Sequence, residues 1–418
     1  MRLALLSPLP PEQTGIADYA AHLRRALNDA DVDVLTPLLG QRPLDSLAAA
    51  QRWVAERDWS RVDVVHAELG GGRISEFYVL AALARLPHRP ALSATAHDPE
   101  RLVWRPVHAA WPAIERLPGL PRLARQALAV LSDPHTVWAE RRLARRLDGL
   151  VTLTQTGAAR LSRRMGVPRE RISVIPHGTL PIPPEPLPLL TPLRLLYFGF
   201  IYAGKGIEDL IDALGRVLAA HPDWADRVRL TIAGGTAPDI TFGAQTSYLD
   251  SLRQRVERRG LAACVDWELD VDARDIPRVV QAHHAMVLPY RESRKLSLLG
   301  QMRGTSGALA WAIACGRGAI TSDARSFAEE IQHGNGDAFK QGDVAALAQR
   351  IEQLLADPDR AGVWARQAAE LARARTWAVT GERFRSHFQS AIERHTGQPW
   401  RGERRPLTRP MVPQGRST

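Results

Sequence analysis

Short apolar runs of strand length alternate with longer amphipathic segments along most of this chain, and that alternation constrains the fold more than any other feature. The first series of candidate strands is Leu3–Leu6, Val62–His66, Ala91–Thr95, Leu150–Leu153 and Ile172–Ile175. The second is Leu193–Phe198, Val228–Ala233, Cys264–Trp267, Ala285–Leu288 and Ala319–Thr321. Amphipathic segments such as Ile16–Leu27, Ile207–Leu218 and Leu249–Arg258 lie between them. Strands separated by helices must pair in parallel, so both faces of each sheet are covered. Six prolines between Thr179 and Arg194 separate the two series and exclude both a helix and a central strand there. The expected organisation is two Rossmann-like, doubly wound α/β domains, 1–178 and 194–375, joined by a Pro-rich linker, 179–193. A helix over 376–395 is expected to return to the first domain, and 396–418 reads as a basic, disordered tail. Doubly wound domains facing across a hinge would bind a ligand at the carboxyl ends of both sheets.

With 418 residues, 45% of them hydrophobic, the chain can bury two cores. The opening MRLALLSPLP is too short in apolar residues for a secretory leader and reads as a first buried strand. No run approaches the roughly 18 apolar residues that span a bilayer. Two cysteines, Cys264 and Cys315, cannot build a disulfide framework or a four-ligand zinc site. A soluble cytoplasmic protein without a bound metal is the expectation. The net charge of +10, almost all arginine on the basic side, suits anionic partners. It is equally consistent with Arg and Ala richness that reflects genomic base composition. No nucleic-acid motif accompanies it, so nucleic acid is not an expected partner.

The tract Arg101–Arg146 departs from the regular alternation. Arg141, Arg142, Arg145 and Arg146 recur at spacings of three and four, on one side of a helix. Such a face could lie on anionic lipid at the inner side of the plasma membrane, with Trp104, Trp111 and Trp138 as interfacial side chains. A solvated helix face is the alternative.

The most informative stretch is YFGFIYAGKGIEDLI, Tyr197–Ile211. Gly199, Gly204, Lys205 and Gly206 approach a P-loop, but Gly206 stands where magnesium binding needs Ser or Thr. What remains is a strand, a glycine turn and a helix opening at Ile207. Glycines admit a ligand close to the backbone, the helix offers free N–H groups, and Lys205 adds a point charge. These parts suit a diphosphate without an obligatory metal; a plain tight turn with an exposed lysine is the alternative.

The same stretch resembles the first loop of the C-terminal domain in glycosyltransferase family 4, retaining enzymes of the GT-B fold. PLPPEQTGIADYAAHLRRAL resembles the opening of that family, and LVTLTQTGAARLSRRMGVPRERISVIPHG the block that ends its N-terminal domain. RLTIAGG, VLPY and SGALAWAIACGRGAITSD follow in order, so the resemblance covers nearly the whole chain to about Ile392. It implies transfer of a sugar from a nucleotide donor, a UDP- or GDP-sugar, to a saccharide or lipid-linked acceptor in bacterial surface polysaccharide or glycolipid assembly. No cofactor is implied, because the nucleotide-sugar is a substrate. It assigns Gly15, Gly199, Lys205, Ser306 and Gly307 to the donor phosphates and His97 to the transferred sugar, with Lys205 neutralising the leaving group. Asp98, His177 and Gly178 would border the cleft. Alternatively Gly15 simply starts a helix, and His97 pairs structurally with Asp98. A serine hydrolase is disfavoured, because Ala308 replaces the last glycine of a Gly-x-Ser-x-Gly elbow.

Several positions depart from the family pattern. Its two glutamates separated by seven residues fall on Arg303 and Trp311, and its usual proline is replaced within Gly316-Arg317-Gly318. Phe200 stands where an arginine often follows the first glycine. Either Arg303 replaces that arginine as a phosphate ligand while Trp311 packs on sugar or base, or the donor site has decayed to a non-catalytic sugar-nucleotide-binding or scaffold protein. Glu292 is a nearby surrogate acid.

Overall fold

The computed structural model describes every residue except 13, 109–110, 112–113, 115–120, 236–247, 293–298, 301–303 and 401–418. The chain forms two compact units. Unit 1 comprises Met1–Pro176, Leu296–Gly304 and Trp377–Thr418, and unit 2 comprises His177–Lys295 and Thr305–Thr376.

Unit 1 is built on six parallel strands: β1 (Arg2–Leu6), β2 (Asp33–Leu35), β3 (Val64–Leu69), β4 (Ala91–Ala96), β5 (Gly149–Thr152) and β6 (Ile172–Val174), in the order β2-β1-β3-β4-β5-β6. Every residue of β3 and β4 is buried, as expected for a sheet covered on both faces. Side-chain caps set where several covering helices begin. Thr14 accepts from the amide of Ala17, Ser46 from Ala49 and Thr154 from Gly157, each satisfying an otherwise unpaired N–H. The helix Trp377–Thr396 packs into this unit, although it is the last helix described in the chain. Its approach depends on glycine: a Cβ at Gly381 would stand 2.9 Å from the carbonyl oxygen of Ala26, and one at Gly149 2.7 Å from the His387 ring.

Unit 2 repeats the plan with β7 (Leu193–Phe198), β8 (Val228–Gly234), β9 (Val265–Leu269), β10 (Ala285–Leu288), β11 (Gly318–Ser322) and β12 (Gly336–Phe339), all parallel and ordered β12-β11-β10-β7-β8-β9. The helix Ile207–Ala220 buries Ile207, Leu210, Ile211, Leu214 and Val217, a 3.6-residue stripe; full burial of each such side chain contributes roughly 1.5–3 kcal/mol. The proline-rich span lies against this unit. Buried Arg317 donates to the carbonyls of Glu185 and Pro186 as well as to those of His283 and Gln281. Gly318 must be glycine, because a Cβ there would meet Trp364 at 2.5 Å. The departures at Arg317 and Gly318 therefore serve packing.

Of the three tryptophans expected at a membrane interface, Trp111 is buried and Trp104 half-buried; Trp138 alone is exposed. The burial of Trp111 in the unit 1 fold removes it from any lipid-facing role. In both units the first strand has its chain-order neighbour on one side and a later strand on the other. That arrangement puts the topological switch point beside β1 and β3 in unit 1, and beside β7 and β10 in unit 2.

Candidate functional site

In unit 2 the loops leaving β7, β10 and β11 converge on one side chain, Tyr290, which is buried just beyond β10. The Lys205 Nζ lies 3.8 Å from the centre of its ring, and the Arg325 Cζ lies 5.1 Å from it. On the phenol side, the Ser306 hydroxyl is 3.4 Å from the Tyr290 hydroxyl. A Cβ built on Gly199 would come within 3.3 Å of the same atom. Lys205 is itself buried, and among the described residues no carboxylate lies within ion-pair distance of it or of Arg325. Burial, followed by repulsion from Arg325, pulls the Lys205 ammonium down to about 8. Two cations thus share one aromatic ring, with no carboxylate among the described residues to neutralise them.

The glycine turn is fixed by close backbone contacts. Gly199, Gly204 and Gly206 have φ of 138°, 100° and 69°, values that side chains rarely tolerate. A Cβ at Gly206 would lie 1.9 Å from the carbonyl oxygen of Pro289. The amide of Arg291 donates to the Gly204 carbonyl at 3.0 Å, and the Arg291 guanidinium pairs bidentately with Asp209 in the first turn of Ile207–Ala220. These bonds tie the lysine loop to the segment carrying Tyr290. The exposed Phe200 ring lies against Gly235. Ser306 precedes the helix Gly307–Ala314 in extended conformation, and its hydroxyl does not cap that helix. The first amides of Gly307–Ala314 therefore remain open to an anion.

Arg325 escaped the sequence analysis. Among the described residues it is one of three non-glycine residues with positive φ, at 60°, and its guanidinium donates to the Thr305 carbonyl at 3.1 Å. A strained backbone holding a cation against Tyr290 would have been a signal, but nothing in SDARSF announces a left-handed arginine. The expected surrogate, Arg303, lies outside the described residues. Trp311 is half-buried against the unit 2 core. The Glu292 amide donates to Gln341 at 2.9 Å. His177 donates from Nδ1 to the Gly178 carbonyl at 2.7 Å and lines a small recess with Ser306, Glu330 and Arg375.

Unit 1 presents a different chemistry at its strand ends. Gly15, in the first turn of Gly15–Asp29, is exposed, with open space around a Cβ placed there and an ordinary φ. His97 follows β4, its ring edge-on to Tyr19 at 4.8 Å. Its Nε2 donates to Glu68 Oε2 at 2.7 Å, and His66 Nε2 lies 3.2 Å from the other Glu68 oxygen. Burial raises the Glu68 carboxyl, but hydrogen bonds and charge from His66 and His97 outweigh it and bring it to about 2. The structural pairing of His97 with Asp98 gives way to this one, because the Asp98 carboxylate accepts from the Gly71 amide at 3.2 Å. With Nε2 committed to Glu68, Nδ1 is the His97 ring nitrogen left for another partner among the described residues. Glu68 went unnoticed because it lies two residues past the expected strand Val62–His66, in the part of β3 that the apolar run does not reach.

The network continues inward. His66 bonds to Ser93 and Thr95, Ser93 to His387 at 2.8 Å, and His387 to Ser173 at 2.8 Å. Burial, followed by repulsion from His66 and Arg394, pulls His387 down to about 3. The segment after His97 is anchored by buried Glu140, which accepts from the amides of Leu102 and Val103 and pairs with Arg101.

Known proteins match this architecture. Residues 13–179 match the model described as Glycosyltransferase Family 4, and residues 192–357 match Glycosyl transferases group 1. Together the two matches span most of the chain and make it a glycosyltransferase of the GT-B fold. The chain is 24% identical over 322 residues to a D-inositol 3-phosphate glycosyltransferase of Stackebrandtia nassauensis, covering 71% of this chain and 69% of that one. Among solved structures, Anabaena HepE in complex with UDP is similar at TM-score 0.64 and 16% identity, over 93% of this chain and 100% of that one. Sucrose-phosphate synthase from Thermosynechococcus elongatus is similar at TM-score 0.65 and 18% identity, over 92% and 98% respectively. Among the described residues no helix is long and apolar enough to cross a membrane.

Proposed function

We propose that the chain is a retaining transferase that uses a nucleoside-diphosphate sugar, with UDP-sugars the first class to test. It glycosylates a saccharide or glycolipid hydroxyl in bacterial surface-glycan assembly. The observation that carries this reading is the pair of cations, Lys205 and Arg325, held on Tyr290 beside Ser306 and a helix N-terminus at the switch point of unit 2. A diphosphate supplies the negative charge that this cluster lacks among the described residues. The similarity to HepE, whose crystal structure is of a complex with UDP, supports the choice of nucleotide.

In the reaction the bond from the anomeric carbon to the diphosphate oxygen breaks, and the nucleoside diphosphate leaves with the electron pair. The acceptor hydroxyl attacks from the same face and passes its proton to the departing phosphate oxygen. Lys205, Arg325 and the amides of Gly307–Ala314 stabilise the charge that develops on the leaving group, with the protein's own cations meeting that charge in place of a metal. His97, oriented by Glu68, receives a hydroxyl of the transferred sugar on Nδ1 and forms no covalent bond.

Calorimetric titration of purified protein with UDP, GDP and ADP tests the donor assignment, and hydrolysis of the corresponding sugars, with and without acceptor saccharides, tests turnover. One diphosphate should bind at micromolar or tighter affinity, weaken on Lys205→Ala and Arg325→Ala, and survive chelation of divalent ions. Binding of no nucleotide, or binding indifferent to both substitutions, overturns the reading.

A further inference from the structure

Unit 1 carries a second feature, unrelated to the strand ends. A cavity of about 560 Å³ lies among the helices Leu47–Ala55, Ser75–Leu83 and Arg122–Arg146, within the ~300–1,000 Å³ of ligand pockets. Its floor is apolar, formed by Phe77, Tyr78, Ala81, Val107 and Leu143. The rim is cationic: Arg85, Arg142 and Arg146 line it against one carboxylate, Asp45. Arg142 lies over the exposed ring of Trp138 at 5.3 Å, and Arg146 donates to the Ala84 carbonyl at 3.2 Å.

The helix Arg122–Arg146 extends this chemistry outward. Leu131 and Trp138 are exposed by 76% and 53%, and with His135, Arg142 and Arg146 they recur every three or four residues along one face. Arg141 is turned elsewhere, its Nε donating to the Arg164 carbonyl at 2.8 Å. The four arginines that share a face by spacing are thus divided, and two of them border the cavity. An apolar pocket with an aromatic at its mouth and arginines around it offers little to a free sugar. Its chemistry complements a hydrocarbon chain ending in a phosphate.

We infer that this cavity takes one acyl chain of an anionic phospholipid, whose phosphate is bound by Arg142 and Arg146. The chain is drawn out of the bilayer surface, so the protein is held on anionic membrane without a spanning helix. Nucleotide binding in unit 2 plays no part in this contact, so failure here and failure of the transferase reading are separable.

The test is a ladder of monomeric alkyl phosphates, butyl, octyl and dodecyl, below their micelle concentrations. Trp138 fluorescence is the readout, with Trp138→Phe as the blank. Each added methylene should tighten binding about fourfold until the pocket is full. Ala81→Trp, which fills the floor, should bring dodecyl phosphate down to the affinity of butyl phosphate. Arg142→Glu, an exposed substitution that spares the fold, should weaken all three. In flotation, the protein should follow phosphatidylglycerol vesicles and not phosphatidylcholine vesicles, and the double variant Arg142→Glu/Arg146→Glu should follow neither. Equal affinity along the ladder, or equal retention on both kinds of vesicle, overturns the inference.

Discussion

At the strand ends of unit 1 hydrogen-bonding groups and opposite charges face one another, and the Glu68 Oε1 atom, without a hydrogen bond among the described residues, keeps a 3.2 Å ion-pair contact with His66. Glu68 is surrounded by two histidines, His66 continues to serine and threonine hydroxyls, and the relay closes on His387. In unit 2 the equivalent loops gather like charges: Lys205 and Arg325 share the Tyr290 ring, and burial, followed by repulsion from Arg325, depresses the lysine. The same architecture has been used twice, once with its electrostatics internally balanced and once with them left open. An internally balanced network orients a side chain, here His97, and contributes rigidity. An unbalanced one is stabilised when an anion arrives, and that is how a fold converts ligand charge into binding free energy.

The contrast can be broken most forcefully in unit 1. Glu68→Ala leaves two histidines around a buried gap, and should cost about 3–5 kcal/mol of stability in urea unfolding. A loss below about 1 kcal/mol would show that the network is not internally balanced. In unit 2, Lys205→Ala should leave stability intact or raised, yet lower kcat/KM by about 100- to 1,000-fold, as for removal of one preorganised charge from a leaving group. A smaller separation of effects results from Arg325→Gly. Glycine tolerates the left-handed conformation that arginine occupies at roughly 1–3 kcal/mol, so the unfolding midpoint should not fall while UDP affinity drops about tenfold. If both fall together, Arg325 is structural.

The mildest test is pH. The free Lys205 titrates near 8, below its unfolded value of 10.5, so the unfolded chain holds the proton longer and stability should rise between those values. UDP binding needs the protonated form, so affinity should fall about tenfold per unit above pH 8. Unit 1 responds at the other end. His387 and Glu68 have folded values of about 3 and about 2, below their unfolded 6.5 and 4.5. Both contributions are therefore full above 6.5 and are lost as acid is added, first from His387. Fluorescence-monitored unfolding from pH 8 to 3 reads this directly.

Much of the architecture was legible because its signals are local. All ten expected strands exist, within a few residues of their expected limits. The two that were missed, β2 and β12, are edge strands of three and four residues, DVL and GDAF, too short and too polar to form an apolar run. The lysine loop was legible for a related reason: glycines with positive φ leave a sequence trace. Arg325 and Glu68 left none, since each acquires its meaning only from residues that the sheet order brings beside it. Trp311 was read as a possible sugar or base platform from its position in the family pattern; the fold leaves it half-buried, with one side packed against the unit 2 core.

The return of Trp377–Thr396 to unit 1 reverses the usual order of events on the ribosome. Ser93 finds its partner His387 a further 294 residues along the chain, so the amino-terminal half leaves the exit tunnel with its central histidine relay unfinished. Unit 2, whose strands are all synthesised before that helix, can close earlier. Domains commonly acquire structure in the order of translation; here the first half to be made is the last to be completed, and a chain truncated after Thr376 and released from the ribosome should present a folded second half and a protease-sensitive first.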